Sequence, residues 1–191
     1  MKRGLLIIMS GPSGVGKGTV RLELMKDPSL NLFYSISMTT RLPRKGETHG
    51  NEYYFVTRED FMKQVSDGNL LEWAEFVGNC YGTPKDKVDE KRDLGYNVLL
   101  EIDVNGTKQV LSKLKGDDGV ISIFIAPPSL EELKKRLIGR GTETEEAIQK
   151  RLSCVEAEQE KSKQYDYVVV NDTVENAVNN LEDIFKKENN E

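Results

Sequence analysis

Residues 5–19 read Leu5-Leu6-Ile7-Ile8-Met9-Ser10-Gly11-Pro12-Ser13-Gly14-Val15-Gly16-Lys17-Gly18-Thr19, and this stretch decides the fold. Leu5–Met9 is a short unbroken apolar run, as a strand buried on both faces of a sheet requires. After the glycines, Val20, Leu22, Leu24 and Met25 lie among Arg21, Glu23 and Lys26 in a helical pattern. Strand, glycine loop and helix in this order form a phosphate-binding loop. The glycines let backbone N–H groups turn inward around phosphate oxygens. The helix N-terminus adds a partial positive charge, and Lys17 adds a full one. One position departs from the pattern G-x-x-x-x-G-K-[ST]: Gly18 stands where that pattern has a hydroxyl, and Thr19 comes one residue later. In P-loop NTPases that hydroxyl binds Mg²⁺.

Three more β-rich runs follow at Val98–Ile102, Val120–Ile125 and Tyr167–Val170, with helical patterns between or after them. Apolar strands alternating with helices predict an α/β fold with a parallel sheet covered on both faces. Ser129 with Glu132 reads as a capping box ahead of Leu130, Leu133 and Leu137. Thr83-Pro84 reads as an N-cap with Pro at the first helical position, and Gly95 as the stop. Thr173 opens a last helix carrying Val174, Val178, Leu181 and Phe185. Residues 33–82 differ in texture, holding nine of the fourteen aromatic residues. Short strand-like pieces there surround one helix, from Thr57 to about Asp67. They predict a small mixed α/β insertion at 33–83 in a core made of 1–32 and 84–191.

The whole chain of 191 residues suits one domain, or one core with a small insertion. No apolar run approaches the ~18 residues of a membrane span, and Leu5–Met9 is too short for a secretory signal. Cys80 and Cys154 have neither metal nor disulfide spacing, so free thiols in a cytoplasmic protein are expected. A single histidine, His49, excludes a multi-histidine metal site. The net charge of −5, with the acid excess in residues 152–191, is not the basic footprint of a nucleic-acid binder.

Ser37-Met38-Thr39-Thr40-Arg41-Leu42-Pro43-Arg44-Lys45-Gly46-Glu47 places two arginines three apart around a proline. Pro43 holds the segment extended, so that both guanidinium groups can converge on one anion. With this segment in place the chain resembles the guanylate kinase family of P-loop nucleoside monophosphate kinases. The likeness rests on Gly11–Thr19, Thr39–Arg44, Gly50–Phe55, Glu72-Trp73-Ala74, Gly78–Thr83 and Glu101-Ile102-Asp103. It continues through Phe124–Ser129, Arg136–Thr144, Lys150-Arg151-Leu152 and Val169–Asp172. These motifs run in family order along nearly the whole chain.

The resemblance implies a P-loop core, a GMP-binding insertion and a mobile helical lid at about 127–151. It implies phosphoryl transfer from ATP to GMP with Mg²⁺, these nucleotides as the partners, and a monomer or weak homo-oligomer. Gly11, Pro12, Ser13, Gly14, Val15, Gly16, Lys17, Gly18, Thr19, Arg136, Arg140 and Asn171 would bind ATP. Arg41, Arg44, Tyr53 and Tyr81 would hold the GMP phosphate, with Glu47 counted in the same site. Ser37, Glu72, Thr83 and Asp103 would line the guanine pocket. Lys17, Arg41, Arg44, Arg136, Arg140 and Arg151 would supply charge for the transfer.

The chemistry agrees. Guanine presents N1–H and N2–H₂ as donors and O6 as an acceptor; a Glu72 carboxylate can accept from both donors, and a Thr83 or Ser37 hydroxyl can donate to O6. Adenine would leave that carboxylate unpaired, a mismatch able to reject an analogue by roughly 10⁴-fold. Read alone, Glu72 is also consistent with a surface residue, since Leu71, Trp73 and Glu72, Ala74 alternate faces. Asp103 ends an apolar strand, at the sheet edge where ligands bind. Its metal and guanine roles stay open, and a metal contact through water near Thr19 or Asp103 is the expectation. Two other classes remain: a non-catalytic module that binds a phosphorylated peptide at the monophosphate site, and a P-loop phosphotransferase acting on AMP or dTMP. The intact P-loop argues against the first, and Glu72 with Thr83 argues against AMP.

Overall fold

The computed structural model describes residues 2–139 and 145–190, though not every side chain in the helix that begins at Glu145. Five strands build the larger sheet: β1 (Leu6–Ser10), β2 (Leu32–Tyr34), β7 (Asn97–Glu101), β8 (Val120–Ala126) and β9 (Tyr167–Val170). They are parallel and run in the order β2-β7-β1-β8-β9. Successive side chains of a strand point to opposite faces, and the packing around β1 divides accordingly. Leu5, Ile7 and Met9 pack on one face with Val20 and Leu24 of α1 (Lys17–Leu24) and with Ala177, Leu181 and Phe185 of α7 (Val174–Asn190). Leu6 and Ile8 pack on the other with Val88 of α3 (Lys85–Asp93) and Val110 of α4 (Val104–Lys113). The sheet is thus covered on both faces, the α/β architecture that the alternating runs predict.

A second sheet has the order β4-β3-β6-β5. It comprises β3 (Met38–Thr39), β4 (Tyr54–Phe55), β5 (Leu70–Phe76) and β6 (Asn79–Pro84), with α2 (Arg58–Ser66) beside it. Thr57 caps α2, its hydroxyl accepting from Asp60 N at 3.1 Å. Phe61, Leu70 and Cys80 form a small separate core here, with Met38, Val56 and Trp73 packed against it. Phe33 and Tyr34 belong to β2 and pair with Val98 and Leu99 in the larger sheet, although the aromatic texture groups them with the insertion.

Two capping expectations change. Thr83 and Pro84 end β6, and α3 begins only at Lys85, because the Thr83 hydroxyl is taken by Glu72. Ser129 does cap α5 (Leu130–Gly139), accepting from Glu132 N at 3.1 Å, but the Glu132 carboxylate faces Arg136 at 3.5 Å. Gly95 follows α3 with φ 88°, and Thr173 accepts from Asn176 N at 3.1 Å to open α7.

Candidate active site

The P-loop joins β1 to α1 at the carboxyl edge of the larger sheet, where α/β folds bind ligands. Gly11, Gly14 and Gly16 have φ of 145°, 89° and 99°, a region that other residues avoid. A Cβ on each would sit 2.3 Å from Ile125 O, 2.6 Å from Leu137 Cδ2 and 2.6 Å from Asn171 Nδ2. Gly18 differs: it lies inside α1, and a Cβ there would meet nothing within 4 Å. Gly16 caps α1 without a side chain, so the first-turn N–H groups are not occupied by a side-chain cap. Lys17 Nζ folds back onto Gly11 O (2.5 Å) and Pro12 O (3.0 Å). A cavity of about 420 Å³ opens here, lined by Ser13, Gly14, Lys17, Thr19, Arg21 and Glu101 among others.

Asn171, 3% exposed, braces the loop: its Nδ2 donates to Val15 O at 2.7 Å. Arg136 fans over the same corner, donating from Nη1 to Asn171 O (3.0 Å) and from Nη2 to Asp172 O (3.2 Å). Leu133 and Leu137 of α5 pack with Val155 of α6 (Glu145–Lys161) beneath Gly14. Arg140 lies outside the described residues, as does the side chain of Arg151 in α6.

Beyond β3, Arg41 lies 5.3 Å from the Tyr53 ring centroid and 5.7 Å from that of Phe55. Its Nη2 donates to both oxygens of Glu47 at 2.9 Å. Glu47 also accepts from Arg44 N at 2.7 Å, the leading cause that holds its carboxyl below the ordinary value. Glu47 thus takes the Arg41 guanidinium but only the backbone N–H of Arg44, so among the described residues the two guanidinium groups do not converge on it. Tyr81 pairs with Thr39 in register, and its ring stands edge-on to Tyr53 with centroids 6.0 Å apart. Ser37 precedes β3, and its carbonyl accepts from Tyr54 N.

Glu72 is 7% exposed, against the surface placement that simple alternation allows. A register shift between Leu70 and Trp73 breaks the alternation, so Leu70, Leu71 and Glu72 are all buried. Side chains of α4 satisfy the disturbed backbone: Gln109 exchanges hydrogen bonds with Trp73, and Lys113 donates to Leu70 O at 2.8 Å. Glu72 Oε1 accepts from the Thr83 hydroxyl at 2.6 Å. A Cβ at Gly106 would lie 3.2 Å from Glu72 Oε2 and 3.5 Å from Asp103 Oδ1, so both carboxylates gather at the start of α4. Burial pushes the Glu72 carboxyl up, the Thr83 bond opposes that, and Asp103 adds to it. Asp103 caps α4 by accepting from Gly106 N at 2.7 Å.

Four residues stand in the site without having been picked out by sequence reasoning: Arg21, Tyr34, Glu101 and Glu158. Glu101 ends β7, opposite Met9 of β1, and borders the P-loop cavity. Glu158 of α6 is half-buried within electrostatic reach of Lys17 and Asp103; burial raises its carboxyl, Lys17 lowers it and Asp103 raises it. The position of Arg21, four residues after Lys17 on α1, is the signal that was available. No cluster of three or more His, Cys, Asp or Glu among the described residues could hold a metal ion alone. The Thr19 hydroxyl is a hard oxygen donor at the phosphate cavity, while the Glu101 carboxylate there is engaged by Arg21. One such donor fits magnesium bound largely by nucleotide phosphates and water.

Residues 3–188 match the guanylate kinase family model. A guanylate kinase of Listeria monocytogenes is 52% identical over 187 residues, covering 98% of this chain and 90% of the relative. A guanylate kinase of Listeria innocua is 51% identical over the same shares. The crystal structure of guanylate kinase from Anaplasma phagocytophilum superposes with a TM-score of 0.73 at 36% identity, covering 98% of this chain and 87% of that one. No helix of the described residues is long and apolar enough to cross a membrane.

Proposed function

This chain belongs to the guanylate kinase family and is an ATP:GMP phosphotransferase, and from that premise we propose how its residues divide the work. The observation that carries the division is that the two groups of residues stand on two different sheets. A backbone cradle with Lys17 lies at the edge of the larger sheet, and Arg41, Tyr53, Tyr81 and Glu72 lie on or beside the smaller one.

ATP binds with its phosphates in the P-loop, at the uncapped N-terminus of α1. Lys17 exchanges its carbonyl partners Gly11 and Pro12 for phosphate oxygens. Asn171 fixes the loop through Val15, and Arg136 closes the adenosine end. GMP binds with its phosphate at Arg41, Arg44, Tyr53 and Tyr81. Its dianion takes over the Arg41 edge that Glu47 now occupies. Glu72, ionised, accepts from guanine N1–H and N2–H₂, while the hydroxyl of Thr83 or Ser37 turns to O6 and Asp103 closes the amino side.

An oxygen of the GMP phosphate forms a bond to the γ-phosphorus as the bond to ADP breaks. The protein supplies alignment and positive charge from Lys17, Arg41, Arg44, Arg136, Arg140 and Arg151. Magnesium, when bound, would neutralise charge across the transferring phosphates, with the Thr19 hydroxyl placed to hold it, directly or through water. Cys80 is a free buried thiol, in keeping with a cytoplasmic location, and the acidic balance fits nucleotides as the partners in place of nucleic acid.

The test is a coupled ADP-release assay with ATP and Mg²⁺, offering GMP, AMP, dTMP, CMP and UMP at equal concentration. Turnover with GMP at least about a hundredfold above the others is expected. Preference for another monophosphate would discard the assignment of Glu72 and Thr83 to the base.

A further inference from the structure

Arg21 follows Lys17 by four residues, so α1 presents both on one face, one turn apart. Its Nε donates to Glu101 Oε2 at 3.1 Å, and its guanidinium carbon lies 4.1 Å from the centroid of the Tyr34 ring. The three side chains meet at one sheet edge. Tyr34 ends β2, Glu101 ends β7, and α1 follows the loop after β1, three neighbouring strands. Arg21 and Glu101 are each 22% exposed and both border the P-loop cavity. Among the described residues, Nε alone of the Arg21 nitrogens has a partner.

A guanidinium held on one edge by a carboxylate and on one face by an aromatic ring is already ordered. Its remaining edge is the two-pronged donor that suits phosphoryl oxygens. Tyr34 is within electrostatic reach of Tyr53, and Arg41 lies 5.3 Å from the Tyr53 ring centroid. Arg21 thus borders the P-loop cavity while resting on a ring that feels the arginine side of the site. Gly18 leaves the second position of α1 without the usual hydroxyl, which Thr19 carries one residue later, and Arg21 stands at the cavity from the next turn.

We propose that Arg21 is a further catalytic residue of the phosphoryl transfer, its Nη edge facing the phosphoryl group between donor and acceptor, with Glu101 and Tyr34 holding it there. No bond to Arg21 forms or breaks and it keeps its proton throughout; it stabilises charge on the equatorial oxygens while the P–O bond to ADP breaks and that to GMP forms.

The inference rests on the P-loop reading above, and the native chain assayed beside each variant keeps the two apart, since loss of that reading removes turnover with GMP altogether. Arg21→Gln is expected to lower kcat about 10²–10³-fold, as loss of one transition-state donor does, with the KM for ATP changed less than about threefold and Tm preserved. Arg21→Lys recovers part of the loss. The variant Arg21→Gln with Glu101→Gln stays as slow as Arg21→Gln alone. A kcat for Arg21→Gln within about threefold of the native chain overturns the proposal. Recovery in the double variant also overturns it, since Arg21 would then only neutralise Glu101. Should Arg21→Gln fail to fold, Arg21→Lys decides: a native kcat overturns the proposal, and a loss of about tenfold or more at native Tm supports it.

Discussion

The P-loop and the smaller sheet, to which we assign the donor and acceptor phosphates, are made of different material. The P-loop is backbone, forced into shape by close neighbours: Ile125 O, Leu137 and Asn171 leave no room for a Cβ at Gly11, Gly14 or Gly16. The smaller sheet presents side chains that hold one another, Arg41 on Glu47 and Thr83 on Glu72. A backbone cradle is complete before its ligand arrives. A side-chain site meanwhile fills itself with its own groups, and each contact must be exchanged when the ligand binds.

The sharpest way to break this contrast is Lys17→Ala. It removes the one charged side chain of the loop Gly11–Thr19 and is expected to lower kcat about 10³-fold in steady-state assays. GMP affinity measured by titration should stay nearly native. Equal loss of GMP binding would mean that the two sites are not separate.

Glu72→Gln comes next, and acts on the acceptor side alone. It places an amide donor where guanine presents donors, and kcat/KM for GMP should fall about 10²-fold with the KM for ATP little changed. Stability should move the other way. The folded carboxyl is raised above its ordinary 4.5 by burial, so its ionisation destabilises the ligand-free protein as pH rises through the window from 4.5 up to that raised value. Thermal unfolding of the native chain against Glu72→Gln should therefore diverge as pH rises through that window, the native chain losing ground. GMP affinity should weaken as pH falls through the same window, because the protonated acid loses an acceptor.

The smallest effect concerns the frame of the acceptor side. Val77 and Gly78 make the two-residue turn between β5 and β6, with φ of 48° and 73°. A β-branched residue is poorly suited to that region, whereas Asn-Gly is the favoured pair for such a turn. Val77 is 80% exposed, so Val77→Asn should stabilise the protein by about 1 kcal/mol in denaturant unfolding without changing kinetics.

The same contrast explains what could be read from the amino-acid sequence. The P-loop is contiguous, and strand, glycines and helix declare themselves within residues 5–24. The parallel sheet follows from four apolar runs for the same local reason. Residues of the acceptor site are scattered from Ser37 to Asp103, and only family likeness gathers them. Glu72 in particular is hidden by a register shift in β5 that alternation does not reveal. Thr83 reads as a helix cap because its acceptor, eleven residues earlier, is brought close only by the pairing of β5 with β6. Arg21 and Glu101 are missed because the contact joins α1 to the end of β7, eighty residues away.

The most direct test is the ratio of kcat/KM for GMP to that for AMP, measured in the native chain and in Glu72→Gln. The account predicts a ratio of roughly 10⁴ in the native chain, falling at least about tenfold in the variant. A native ratio below about ten, or one that Glu72→Gln leaves intact, would contradict it.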